Sequence, residues 1–173
     1  KKNLGDVNIL AIDLYDGKVA DNREDAAKYM QSVNQERALN IVSGAIDFAG
    51  RDAKIGTIGW CFGGGWSLQA SIMAGKQGSA CVMYYGIIEN TPETFKELNA
   101  PVLGIFAEKD GWVNPEVYGN LEKNIKAAGK NITVKSFDAD HAFANPSNAK
   151  FDEAATNEAK QLTIKFFKEN LMK

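Results

Sequence analysis

The chain has little of what several classes of protein require. Its 173 residues include one histidine and two cysteines, too few for a disulfide framework or for a set of zinc ligands. The formal net charge is -2, without the basic excess of a nucleic-acid-binding domain. No apolar run approaches the ~20 residues that span a bilayer, and no signal peptide is visible. We therefore expect a cytoplasmic protein with reduced thiols, no bound metal, and neither a nucleic acid nor a membrane as partner.

Apolar, β-prone runs alternate with amphipathic segments along the chain, which predicts an α/β protein with parallel strands. We predict strands at 8–15, 55–60, 79–85, 101–107 and 132–137, helices at 35–49, 66–74, 115–128 and within 151–172, a short helix at 92–98, and either a helix or a mobile lid at 21–33. No linker or repeat divides the chain, so we expect a single domain over residues 1–173. A parallel strand starting so close to the amino end needs neighbours on both sides. We therefore expect the domain to lack amino-terminal strands.

The segment 54–71, KIGTIGWCFGGGWSLQAS, is the most informative stretch of the chain. A strand runs into a tight turn at Cys61 and then into a helix, with the G-x-C-x-G spacing of a nucleophile elbow. Gly59 and Gly63 occupy the two positions where side chains would make strand and helix clash. The amide of Phe62 is an expected oxyanion donor, and the first helical amides favour a thiolate. The motif alone also fits a glycine-rich turn with a buried thiol.

Two further residues strengthen the catalytic interpretation, because each follows the end of a different predicted strand. Asp110 comes just after 101–107, and His141 comes just after 132–137. Carboxyl ends of parallel strands share one edge of the sheet, and the order nucleophile, acid, histidine is that of an α/β-hydrolase triad. We predict that Cys61 attacks a carbonyl as thiolate, His141 transfers protons and Asp110 orients the imidazole. The second cysteine, Cys81, lies within a predicted strand and is expected in the core.

The chain resembles the dienelactone hydrolase family, cysteine hydrolases of the α/β-hydrolase fold. The matching motifs are DLYDG at 13–17, GWCFGGG at 59–65, YYG at 84–86, AEKDGWVNP at 107–115 and DHAFANP at 140–146. The resemblance implies a mostly parallel sheet with helices on both faces and a triad of Cys61, His141 and Asp110. It also implies hydrolysis of the lactone ring of carboxylated enol-lactones such as dienelactone, without a metal or organic cofactor.

The chain departs from the family in two respects. Family members begin with further strands and a loop that carry a glutamate and the second oxyanion donor, so this chain resembles the carboxyl-terminal two thirds or more of a member. The family also uses two arginines to hold the substrate carboxylate. Arg23 falls near the position of the first, whereas Asn145 stands where the second is expected. A related small ester or lactone is therefore as good a substrate candidate as a carboxylated dienelactone.

Two alternatives to an ester or lactone hydrolase remain open from the sequence. One is a catalytically incomplete fragment, or a small-molecule binding scaffold with the same fold. The other is a thiol peptidase, because cysteine and histidine also serve amide hydrolysis. If strands are absent before residue 8, the exposed sheet edge also predicts self-association.

Overall fold

A computed structural model describes residues 4–172, which form two compact units that divide between residues 53 and 54. The first unit contains two helices, α1 at Arg23–Gln31 and α2 at Gln35–Ala49. Each begins at an asparagine, Asn22 or Asn34, whose side chain accepts a hydrogen bond from a backbone amide three residues on and so satisfies one free amide of the first turn. The predicted helix at 35–49 is confirmed, and at 21–33, where a helix and a mobile lid were both open, the structure contains helix α1. The expectation of a single domain stays a prediction.

The predicted strand at 8–15 was wrong. These residues form neither strand nor helix, and the apolar side chains of Ile9 and Leu10 are 65% and 55% exposed. The carboxylate of Asp13 instead accepts hydrogen bonds from the amides of Tyr15 and Gly17 at 2.7 and 2.6 Å. Local bonds of this kind compete with strand pairing, and a β-prone run becomes a strand only where a second backbone pairs with it.

The second unit contains a parallel four-stranded sheet, in the order β1-β2-β3-β4. Its strands are β1 Ile55–Trp60, β2 Gly78–Tyr84, β3 Val102–Ala107 and β4 Ile132–Phe137. Its helices are α3 Phe62–Met73, α4 Pro115–Ala127 and α5 Glu153–Asn170, with 3-10 turns at Gly75–Gln77 and Pro92–Phe95. All four strands match the sequence prediction within about one residue at each end. The first three were predicted from apolar runs typical of buried parallel strands, and β4 was predicted from its alternating pattern.

Helices cover both faces of this sheet, as predicted. Side chains alternate between the faces of a strand, so Cys81 and Tyr84 of β2 point in opposite directions. The thiol of Cys81 lies 3.8 Å from the hydroxyl of Ser67 on α3. The hydroxyl of Tyr84 is 2.7 Å from that of Thr163 on α5. Helices α3 and α5 therefore pack on opposite faces.

An apolar cluster of the second unit includes buried side chains from α3, β2, β3, β4 and α4. Its buried members are Leu68, Cys81, Met83, Phe95, Leu98, Ala100, Val102, Phe106, Val113, Leu121, Ile125 and Ile132. Cys81 is fully buried within it, which confirms the prediction of a core thiol. Burial on both sides keeps the central strands rigid, so residues just beyond their carboxyl ends have well-defined positions.

In residues 4–172, no helix combines the length and the apolar character needed to cross a bilayer.

Candidate active site

Cys61 lies in a sharp turn between β1 and α3, with φ 53° and ψ -121°. A residue with a side chain seldom adopts positive φ, so the turn holds Cys61 in a strained conformation. At Gly59 an added Cβ would lie 1.9 Å from the carbonyl oxygen of Gly63, so this position requires glycine. At Gly63 an added Cβ would meet no described atom within 4 Å. The expectation that Gly63 must also lack a side chain was therefore wrong, because its carbonyl, not its Cα, occupies the crowded space.

Helix α3 starts at Phe62, four residues before the predicted start at 66. Glycines have low helix propensity, which led to the late prediction, but they let the first turn approach the loop after β2. A Cβ at Gly64 would lie 2.7 Å from the carbonyl oxygen of Tyr84, and one at Gly65 would lie 2.5 Å from that of Ile87. The early start brings the backbone amide of Phe62 into hydrogen-bonding contact with the sulfur of Cys61.

The structure places Cys61, His141 and Asp110 in one chain of hydrogen-bonding contacts. The Nε2 atom of His141 is 3.2 Å from the sulfur of Cys61, and its Nδ1 atom is 2.5 Å from Oδ2 of Asp110. Asp110 is only 3% exposed. Its other oxygen, Oδ1, accepts hydrogen bonds from the amides of Trp112 at 2.8 Å and Val113 at 3.0 Å. With both oxygens occupied, the carboxylate has one orientation and presents Oδ2 to the imidazole.

These contacts shift the protonation of the site toward a thiolate and an imidazolium. The hydrogen bond from His141 lowers the pKa of Cys61, assisted by the amide of Phe62 and opposed by burial and by the charge of Asp110. Hydrogen bonds to Cys61 and to Asp110 raise the pKa of His141 to about 9, against the effect of burial. The two groups titrate as a pair, and the pair favours the ionised nucleophile that cysteine chemistry needs.

Two aromatic residues, which sequence reasoning did not assign to the site, flank the imidazole of His141. The ring centroid of Tyr85 lies 5.0 Å from that of His141, and the centroid of Trp112 lies 5.3 Å from it on a nearly perpendicular plane. The indole of Trp112 is 76% exposed. Both residues lie in the motifs YYG and AEKDGWVNP, so the signal was present in the sequence, but ring contacts between distant segments could not be inferred from it.

The two other positions singled out from the sequence are exposed. Arg23 is the first residue of α1 in the first unit, and its role in substrate binding stays a prediction. Asn145 follows His141 by four residues, and its side-chain oxygen accepts a hydrogen bond from the amide of Ser147 at 3.0 Å. In the described part of the chain, no three His, Cys, Asp or Glu side chains are grouped so that they could hold a metal ion.

A parallel sheet flanked by helices, with a cysteine at a strand–helix elbow and an acid and a histidine after later strands, defines an α/β-hydrolase fold. The model of the dienelactone hydrolase family matches residues 7–171. The chain belongs to the dienelactone hydrolase family, and it is a hydrolase of that type.

Individual proteins agree with this assignment. The chain is 31% identical over 171 residues to Protein usf of Aquifex pyrophilus, covering 93% of this chain and 74% of that protein. It is 27% identical over 154 residues to carboxymethylenebutenolidase 1 of Cupriavidus pinatubonensis, covering 86% and 64%. Among solved structures, m3DLH superposes with a TM-score of 0.79 at 21% identity, covering 93% of this chain and 74% of that one. This last similarity shows the fold.

Proposed function

We propose that this protein hydrolyses a small carboxylic ester or lactone of the dienelactone type through Cys61, His141 and Asp110. The observation that carries the proposal is the continuous line from sulfur to imidazole to buried carboxylate, with contacts of 3.2 and 2.5 Å. Each contact is within the reach that proton transfer requires. The pKa of Cys61 is also lowered. This favours the thiolate, which is the species that attacks the carbonyl.

The first half of the reaction forms a thioester. The thiolate of Cys61 attacks the carbonyl carbon, a C–S bond forms, and the carbonyl oxygen becomes an oxyanion. The backbone amide of Phe62 donates a hydrogen bond to this oxygen, a contribution of about 3 kcal/mol for one donor. The intermediate then collapses as the C–O bond of the ester breaks. His141 gives its proton from Nε2 to the departing oxygen, which in a lactone remains attached to the acyl group.

The second half releases the product. Neutral His141 takes a proton from a water molecule, whose oxygen attacks the thioester carbonyl. The C–S bond breaks, the thiolate of Cys61 leaves, and a carboxylic acid is formed. Asp110 stays ionised throughout and stabilises the imidazolium each time it forms.

The proposed substrate class is supported by the name of a relative and by two side chains, Arg23 and Asn145. The name carboxymethylenebutenolidase, borne by a relative, supports a lactone carrying a conjugated carboxylate. We propose Arg23 as the group that binds such a carboxylate. Asn145, which is uncharged and stands at the position expected for a second arginine, supports acceptance of esters and lactones that lack the carboxylate.

Three further expectations belong to this proposal: a cytoplasmic location, no nucleic-acid partner, and self-association through a sheet edge. The sequence predicted this edge at 8–15, which forms no strand. Among the described strands, β1 is at one end of the sheet, and no described strand pairs with its outer edge. An unpaired edge is a template for another chain. A monodisperse monomer in light scattering would contradict the self-association.

Variants at the nucleophile and the histidine test the chemistry. Cys61→Ala should abolish turnover of p-nitrophenyl acetate, and His141→Ala should remove most of it. Undiminished turnover in either variant would refute the mechanism. Turnover of an anilide at the rate of the ester would instead favour a thiol peptidase, and no turnover of any acyl compound by the wild type would favour a binding scaffold.

The pH dependence of alkylation by iodoacetamide tests whether Cys61 is a thiolate, and Cys81 serves as an internal control. The midpoint for Cys61, read by peptide mass against pH, should lie well below the ~8.5 of a free thiol. Cys81 is fully buried, and burial raises its pKa, so it should react slowly across the same range. An alkylation midpoint for Cys61 equal to that of a free thiol would contradict the proposed contact between Cys61 and His141.

A further inference from the structure

Tyr85 follows β2 directly and lies beside the candidate triad, although it takes no step in the proposed reaction. It has a φ of 36° and is 2% exposed. Its amide donates to the carbonyl of Ile105 in β3 at 2.7 Å. In residues 4–172, four residues other than glycine have positive φ, and three of them are Cys61, Tyr85 and Ala142. Strain of this kind is retained where the surrounding structure enforces it, and it is concentrated at functional sites.

The side chain of Tyr85 contacts the loop that carries His141 at three points. Its ring lies 5.0 Å from the imidazole of His141 at 58°, and 5.6 Å from the ring of Phe143 at 69°. The backbone of Ala144 also interacts with its hydroxyl. Phe143 is fully buried and also packs on Phe137 at the end of β4. The loop is thus joined to the sheet from two sides.

The backbone of the loop is held at Phe143, whose amide donates to the carbonyl of Asp140 at 3.2 Å and whose carbonyl accepts from the amide of Asp152 at 3.0 Å. Residues 141–144 form turns with no helical or strand ladder, and Ala142 has φ 62°. Buried aromatic pairs of this geometry stabilise a structure beyond the area they bury, and a polar contact made away from water does so as well. Tyr85, held by β3, supplies both kinds of interaction to the loop that carries the imidazole.

We propose that Tyr85 is a positioning residue that holds the loop at 141–144, and thereby keeps Nε2 of His141 in line with the sulfur of Cys61. This inference rests on the proposed function, since it assigns a role to that alignment. Tyr85 transfers no proton itself: burial raises the pKa of its hydroxyl, so the group stays neutral through the working range of the site. Its effect on the reaction passes through the geometry of His141.

The neighbouring tyrosine provides a matched control. Tyr84 is also buried, at 3% exposure, and its hydroxyl contacts that of Thr163 at 2.7 Å, on the opposite side of β2. Tyr84→Phe and Tyr85→Phe each remove one buried hydroxyl and keep the ring, so a general loss of stability should be similar. Only Tyr85→Phe removes an anchor of the His141 loop.

The experiment measures the alkylation midpoint of Cys61 and the kcat and KM for p-nitrophenyl acetate in wild type and both variants. Tyr85→Phe should raise the midpoint and lower kcat on the order of 10-fold, less than the ~100-fold that a 1 Å misplacement costs, with KM little changed. Tyr84→Phe should match the wild type in both. If the two variants behave alike while the wild-type midpoint is low, the positioning role of Tyr85 is overturned and the proposed function stands. A wild-type midpoint at the free-thiol value overturns the proposed function itself.

Discussion

Replacement of Asp110 by asparagine is the sharpest test of the site, because it changes one group and preserves the local fold. The carboxamide oxygen can still accept from the amides of Trp112 and Val113, which now lie 2.8 and 3.0 Å from Oδ1. The carboxamide NH₂ then replaces Oδ2 beside Nδ1 of His141. Because this NH₂ only donates hydrogen bonds, Nδ1 must lose its proton. The neutral ring then carries its proton on Nε2, facing the sulfur, and can no longer accept one from the thiol.

The size of the effect follows from the burial and the short contact. Asp110 is 3% exposed and its oxygen is 2.5 Å from Nδ1, so water cannot replace the lost acceptor. In a serine triad the same change lowers kcat by about 10⁴-fold through the wrong tautomer, which corresponds to about 5.4 kcal/mol at 1.36 kcal/mol per factor of ten. We expect a loss of about 10³–10⁴-fold here, together with a rise of the Cys61 alkylation midpoint to that of a free thiol.

The assay is turnover of p-nitrophenyl acetate at neutral pH, with thermal unfolding to verify the fold. Asp138→Asn is the control, since this carboxylate also lies close to His141 in sequence but forms an exposed ion pair with Lys109 at 2.8 Å. Exposed pairs contribute little to stability, so the control should retain wild-type turnover. An Asp110→Asn enzyme within tenfold of wild type, with an unaltered alkylation midpoint, would refute the reasoning.

Two other predictions concern the elbow and the pH range. Gly59→Ala should destabilise the protein in denaturant unfolding by about 1–3 kcal/mol through overpacking, whereas Gly63→Ala, in open space within a helix, should be neutral or stabilising by up to ~1 kcal/mol; equal losses would contradict the elbow geometry. Turnover should fall as pH rises through about 9, where His141 loses its proton, whereas alkylation of Cys61 needs only the thiolate and should not fall. Parallel decline of both rates would show that another group controls them.

Much of the second unit could be predicted because its signals are local. Three of its strands are short apolar runs bounded by turn residues, and the fourth, Ile132–Phe137, alternates between apolar and polar residues. The positions of Cys61, Asp110 and His141 relative to the strand ends follow from chain order. In a parallel sheet, strand ends share an edge, so order alone brings the three residues to one side. Their mutual distances are a result of the structure.

The predictions that were wrong or missing depend on interactions that the periodicity of apolar residues does not indicate. A strand at 8–15 required a partner backbone, and the local hydrogen bonds of Asp13 compete with such pairing. The early start of α3 depended on close approach of Gly64 and Gly65 to the loop after β2, a tertiary gain that outweighs low helix propensity. The role of Tyr85 depends on ring contacts between segments more than 50 residues apart in sequence.

The different environments of the two cysteines have a consequence for oxidative damage. An exposed thiol with a lowered pKa, as at Cys61, is the kind that peroxides convert to a sulfenic acid. A sulfenic acid is rescued most directly by a second thiol that forms a disulfide with it, but the only other cysteine of the chain, Cys81, is sealed in the core under α3. Oxidised Cys61 therefore has no second thiol of its own chain within reach, and a further equivalent of peroxide would convert the sulfenic acid to the irreversible sulfinic acid.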